Sequence, residues 1–230
     1  MKRNAQNQRP AAPALVERML EHTSSCFESL RAPAGTTVAT LLQEMPQHYP
    51  NEIAYMRDSK FTPVSLRNLT EYPVLSSDDL FTYVVDPYQT RGYVLANPEL
   101  ATAKESKRKS EAVMPVMTVT LHNSEFKGYK QARNLRIRQT YSVKGVAKTW
   151  YCVYALAYGG IVSDFEHLEG GKRLWRSLVN TADRYGLKAS AIDTVTGDWL
   201  PVNQDTPDEE IWSTTYEGRR IVLALEKAQD

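Results

Sequence analysis

The stretch "NLRIRQTYSVKGVAKTWYCVYALAY", Asn134–Tyr158, decides how the rest of the chain is read. In its first ten residues Leu135, Ile137, Gln139, Tyr141 and Val143 alternate with Arg136, Arg138, Thr140 and Ser142, the period of a strand. A turn around Lys144-Gly145 then leads to "TWYCVYALAY", whose Trp150, Tyr151, Tyr154 and Tyr158 load both faces. Read this way, 134–157 is a β-hairpin. Upstream, "VMTVTLH" sets Val116, Thr118 and Thr120 against Met117, Val119 and Leu121, a further strand. Downstream, "FEHLEGGKRLWRSLVNTADRYG" is an amphipathic helix with Leu174, Trp175, Leu178, Val179 and Ala182 as its apolar stripe and Gly186 as its left-handed cap. "LKASAIDTVTG" and "RRIVLALEK" supply two more strands. Strand, hairpin, helix, strand predicts an α+β domain over 114–230, an antiparallel sheet with helices on one face, ferredoxin-like or RRM-like.

Before that domain the pattern is less regular. Residues 1–12 are polar and Pro/Ala-rich and read as a flexible N-terminus. The region 13–100 reads as mixed helical and irregular. A helix follows Pro13, and a second, in "TTVATLLQEM", is capped by Thr36 or Thr37 and stopped by Pro46. Six prolines break the segment 46–100, where "FTYVVD" places Phe81, Tyr83 and Val85 on one side of a strand, unless "SSDD" before it caps a helix. Residues 101–113, inside "PELATAKESKRKSEAVMP", read as a basic loop or linker.

Charge carries the functional signal. Within Lys127–Gln139, Lys127, Lys130, Arg133, Arg136 and Arg138 occur with no acid among them, and from Phe126 to Ser163 there is no Asp or Glu at all. The net charge of the 230 residues is nevertheless only +1, because the segment 193–230 is acidic. On a strand whose Leu135 and Ile137 face a core, Arg136 and Arg138 point outward together, roughly 6–7 Å apart. That spacing is close to the phosphate spacing of a nucleic-acid strand. Tyr129, Tyr141 and Tyr151 interleave as stacking surfaces for unpaired bases. Lys104, Lys107, Arg108 and Lys109 in the linker, and Arg173 and Arg176 on the helix, are secondary contacts. The alternative is that these cations are solvated strand residues that protect a sheet edge.

Other classes find less support. No apolar run approaches the roughly 18 residues of a membrane span. The N-terminus has no apolar core for a secretion signal, and the two distant cysteines, Cys26 and Cys152, fit reduced thiols in a cytoplasmic protein. There is no Cys-x-x-Cys, and His22 with Cys26 cannot close a tetrahedral site, so no metal is expected. Phosphate-binding glycine loops and the Gly-x-Ser-x-Gly elbow are absent, so no cofactor is expected. The enzymatic rival is a metal-independent endoribonuclease that uses His122 or His167. A third reading is a phage- or plasmid-borne adaptor that docks its basic patch on an acidic protein.

The series "SEFKGYK", "TWYCVYA" and "LEGGKRLWRSLVNTADRYGLKASAIDTVTGDWLPV" resembles the CRISPR-associated RAMP superfamily over about residues 114–202. It is most similar to the subunit that holds the 5′ handle of the guide RNA in type IV-like effector complexes, with Tyr185-Gly186 at the family's Tyr-Gly turn. The resemblance implies a non-catalytic subunit of an RNA-guided ribonucleoprotein, bound to guide RNA or target DNA and to other protein subunits. A large subunit that reads the protospacer-adjacent motif is the neighbouring alternative.

Overall fold

The computed structural model describes residues 32–44, 61–97, 112–138, 145–165, 167–212 and 220–228. The expected helix after Pro13 and the linker cations Lys104, Lys107, Arg108 and Lys109 lie outside them. The elements run α1 Val38–Glu44, β1 Val64–Ser65, α2 Leu66–Leu69, β2 Val74–Ser77, β3 Phe81–Val85, β4 Arg91–Ala96, β5 Ala112–Val113, β6 Met117–Asn123 and β7 Lys130–Ile137. They continue through α3 Val146–Tyr158, β8 Gly160–Val162, α4 Glu169–Val179, β9 Leu187–Asp193, β10 Trp199–Val202, α5 Asp208–Ile211 and β11 Ile221–Lys227. The fold is mixed α+β, built on a nine-stranded sheet of order β10-β9-β11-β8-β7-β6-β4-β3-β2. Every neighbouring pair is antiparallel except β7 and β8.

Several expectations hold locally. Thr37 caps α1: its N–H donates to Thr40 Oγ1 at 2.8 Å, and Thr40 N–H returns a longer contact to Thr37 Oγ1 at 3.4 Å. Met117, Val119 and Leu121 are buried on one side of β6, while Thr118 and Thr120 face the other. Trp175, Leu178 and Val179 are buried as the stripe of α4 predicts, but α4 ends at Val179. Ala182 is buried just beyond it, and the left-handed Gly186, at φ 63°, ends a separate 3-10 turn at Asp183–Tyr185 instead of the helix.

The hairpin is wrong. Residues 146–158 are helix α3, bounded by Gly145 at φ 127° and the left-handed Gly159 at φ 87°. Nine of its thirteen residues are buried. A helix apolar on all sides is what a segment enclosed by other elements requires. Its aromatics load both faces because it packs on both. The first expected strand is also displaced, to Lys130–Ile137 rather than 134–143. Since β7 therefore crosses to β8 through a helix, the two strands run parallel.

The division expected at 101–113 does not divide the sheet, because β4 pairs with β6 across it. Nor do all helices share one face. The principal core, with Trp150, Tyr154, Trp175 and Leu223, lies on the α3 and α4 face. A second cluster joins Val38 and Leu42 of α1 and Leu69 of α2 to Val84, Tyr93 and Leu95 on the opposite face. At the other end of that opposite face, Val162, Ile192, Val222 and Ala224 lie under Phe126, Tyr129 and Trp199. Between these two apolar caps the sheet presents polar side chains.

The cap over the far end is fastened by one buried acid. Glu226 accepts from Lys127 Nζ at 2.8 Å and from the Tyr129 hydroxyl at 2.9 Å, and Lys127 Nζ also lies 3.9 Å from the centroid of the Trp199 ring. Burial first, and the Glu226 carboxylate second, push the Tyr129 phenol up to about 12. A folded-state value above the ordinary value of about 10 means that stability is intact below pH 10 and falls as pH rises toward 12. Tyr129→Phe should cost about 1 kcal/mol at neutral pH. It should also blunt the alkaline loss between pH 10 and 12, read from urea midpoints. Superimposable profiles for the two proteins would contradict the strap.

Candidate nucleic-acid interface

The polar middle of the second face is assembled by strand register. Arg91 of β4 pairs with Thr120 of β6, which pairs with Arg133 of β7. One step along, Tyr93 pairs with Thr118, which pairs with Arg136. Side chains directly opposite across a sheet share a face, so two parallel rows, Arg-Thr-Arg and Tyr-Thr-Arg, stand side by side. With strands about 4.8 Å apart, the outer members of each row are about 10 Å from one another at the backbone.

Arg133 and Arg136 are three residues apart, and simple alternation would send them to opposite faces. A β-bulge opposite Val119 brings them back together. Its extra residue, Asn134, takes φ 51°, a left-handed conformation that Asn tolerates better than most side chains.

Beside these rows lies a cleft of about 470 Å³. Arg91, Tyr93, Thr118, Thr120, Asn134 and Arg136 line its sheet side, and Ser65, Asn68 and Tyr72 line the opposite wall. No carboxylate is among the described lining residues. The carboxylate of Asp86, the acid nearest in sequence to Arg91, is taken up by Thr90 Oγ1 and by the backbone N–H groups of Thr90 and Arg91. Tyr72 and Tyr93 pack with ring centroids 5.8 Å apart. Burial pushes both phenols up, the Arg91 guanidinium opposing it at Tyr93. Both therefore stay protonated and can donate hydrogen bonds.

The expected basic residues do not form one track. Arg136 is exposed and lines the cleft. Arg133 shares the face, but its guanidinium is held by Gln131 Oε1 at 2.7 and 3.1 Å and lies 3.4 Å from Asp164. Arg138 is a correction: only 1 % exposed, it turns inward where β7 has ended, and Nη1 lies 3.5 Å from the Met114 carbonyl. Lys127 is engaged by Glu226, in the acidic C-terminal segment. Tyr129 is tied to the same carboxylate, its ring lying against Gly160. Lys130 donates to Asn123 Oδ1 at 2.6 Å. Arg173 and Arg176 lie on α4, away from the polar face, paired with Glu169 at 3.1 Å and Asp208 at 3.5 Å. Of the stacking tyrosines, Tyr151 is 3 % exposed in the principal core, and Tyr141 lies outside the described residues.

Arg91, Tyr93 and Tyr72 were missed. The alternation of Arg91 and Tyr93 in "RGYVLA" was available as a signal, but their meeting with β7 is a long-range pairing that no local pattern reports. Of the histidines proposed for RNA cleavage, His122 is exposed at the end of β6. His167 packs edge-on against Trp212 and lies 3.2 Å from the buried Ser163 hydroxyl, with burial lowering its pKa. Among the described residues no group of His, Cys, Asp and Glu is arranged to hold a metal ion, and no helix is long and apolar enough to cross a membrane. No protein-family model, curated protein or solved structure matches the chain.

Proposed function

We propose that the protein is a non-catalytic binder of single-stranded nucleic acid that uses the open middle of its second sheet face. One observation carries the reading: register gathers Arg91, Arg133 and Arg136 with Thr118, Thr120 and Tyr93 beside a cleft with no carboxylate among its described lining residues. An open sheet face with arginines is a recurrent way to hold the backbone of an unpaired strand, guanidiniums on phosphates. Tyr93, only 5 % exposed, packs beneath the face rather than against a base. Membership of an RNA-guided ribonucleoprotein in the cytoplasm, contacting guide RNA or target DNA, rests on the RAMP resemblance. The acidic C-terminal segment is then offered to protein neighbours. Fluorescence anisotropy with a single-stranded 20-mer of RNA and of DNA tests the binding. Three phosphate contacts predict a log–log salt slope of about −2. A flat salt dependence would contradict the reading, and metal-free cleavage abolished by His122→Ala or His167→Ala would favour the endoribonuclease.

A second reading is favoured by the parallel pair. β7 and β8 pair only at Lys130–Ile161 and Gln131–Val162, after which β7 continues to Ile137 without a strand on that side among the described residues. A crevice at the carboxyl ends of parallel strands is where α/β proteins bind phosphate-bearing cofactors. A thermal-shift panel of ATP, NAD and coenzyme A separates this from strand binding, since a saturable shift with one of them and no anisotropy change with oligonucleotides selects the cofactor.

A further inference from the structure

The geometry points to a phosphate monoester subsite in the cleft, so that the face holds the phosphorylated end of a nucleotide rather than the interior of a chain. This rests on the reading of the second face as a phosphate-binding surface and adds which phosphate it prefers. The cleft is compact, about 470 Å³, within the roughly 300–1,000 Å³ of sites that hold one small ligand. Arg91 and Arg136 sit at diagonal corners of the two rows with Thr118 and Thr120 between them. Both side chains line the same cavity, as do both threonines. Such a set offers two forked cations from opposite sides and hydroxyl donors from below. A phosphodiester has one charge and two free oxygens, and one guanidinium satisfies it. A monoester at neutral pH approaches two charges and has three terminal oxygens, which uses two guanidiniums and the hydroxyls together. Arg133 is not part of the cavity wall, being held by Gln131 and Asp164, and it is left for the next, ordinary phosphate of a strand.

The source of the monoester is either the 5′ end of an oligonucleotide or a free mononucleotide, and one experiment separates them. Anisotropy is measured with a decamer labelled at its 3′ end, carrying either a 5′-phosphate or a 5′-hydroxyl, with AMP as competitor. The comparison protein is Thr118→Val/Thr120→Val, which removes two hydroxyls and keeps residues suited to strands. The 5′-phosphorylated decamer should bind at least about ten-fold more tightly, and the preference should shrink below pH 6 as the monoester dianion takes up one proton and becomes a monoanion. The double variant should bring the ratio to about one, because 5′-phosphate affinity falls by more than 5′-hydroxyl affinity does. Equal affinities in the unaltered protein overturn the monoester subsite and leave the strand-binding reading standing. If neither decamer binds, the strand reading fails; saturable AMP binding lost in the double variant then supports the subsite with a free nucleotide, and its absence overturns the subsite as well.

Discussion

Gly92→Ala is expected to lower the stability of the protein by about 3 kcal/mol, the upper end of what overpacking a core costs. The methyl group would enter the six-membered ring of the Trp150 indole, none of the three nearest atoms lying farther than 2.8 Å away. That ring cannot yield cheaply. Its Nε1–H donates to the Val84 carbonyl at 3.1 Å, Tyr154 stacks on it at 5.0 Å, and Tyr151 meets it edge-on at 5.6 Å. Trp150 is fully buried. Moving it opens a hydrogen bond on β3 and unpacks α3 from the sheet in one step. For a chain of this size the loss corresponds to a melting temperature roughly 6–12 °C lower. Trp150→Phe, which shortens the ring, should recover part of it when combined with Gly92→Ala, although the single change is itself destabilising. Scanning calorimetry on the four proteins of that cycle reads the coupling directly. A melting temperature for Gly92→Ala within about a degree of the unaltered protein would mean that Trp150 does not sit on β4.

The same residue shows why the sequence was only partly legible. Strands with one polar face announce themselves by alternation, and Thr118 and Thr120 mark β6 in this way. Trp150 lies in a helix buried nearly all round, where no polar face exists to mark a period of 3.6 against one of two. Aromatic and branched residues then favour a strand, and the hairpin follows. The site failed in a related way. Arg136 and Arg138 alternate as drawn, but β7 ends at Ile137, and past its end the period no longer dictates where a side chain goes. Arg133 joins Arg136 only through the bulge at Asn134, and Arg91 joins them only through two successive strand pairings. The basic composition was visible locally, whereas the grouping that makes a surface is a property of the register.

Reversing the two arginines of the cleft is the test with the largest expected effect on binding. Arg91→Glu/Arg136→Glu should weaken binding of a single-stranded oligonucleotide by about 100-fold. Each guanidinium contributes a charge-assisted hydrogen bond of about 1.5–3 kcal/mol to a phosphate, and two of them at the low end give about 3 kcal/mol. Each reversal also adds a repulsion, so the figure is conservative in direction. Two contacts fewer should flatten the log–log salt slope by about 1.4 for a single strand. Both side chains are exposed, and stability should change little. A reversal at Arg138 would be uninformative, because a carboxylate at that buried position attacks the fold before any ligand is met. Lys127→Glu is the sharper control. It sets a second carboxylate against Glu226, so it should loosen the strap while leaving the salt slope where it was. Should Lys127→Glu abolish binding and Arg91→Glu/Arg136→Glu spare it, the ligand surface lies over the Tyr129 strap, and the cleft between the apolar caps is not where the anion sits.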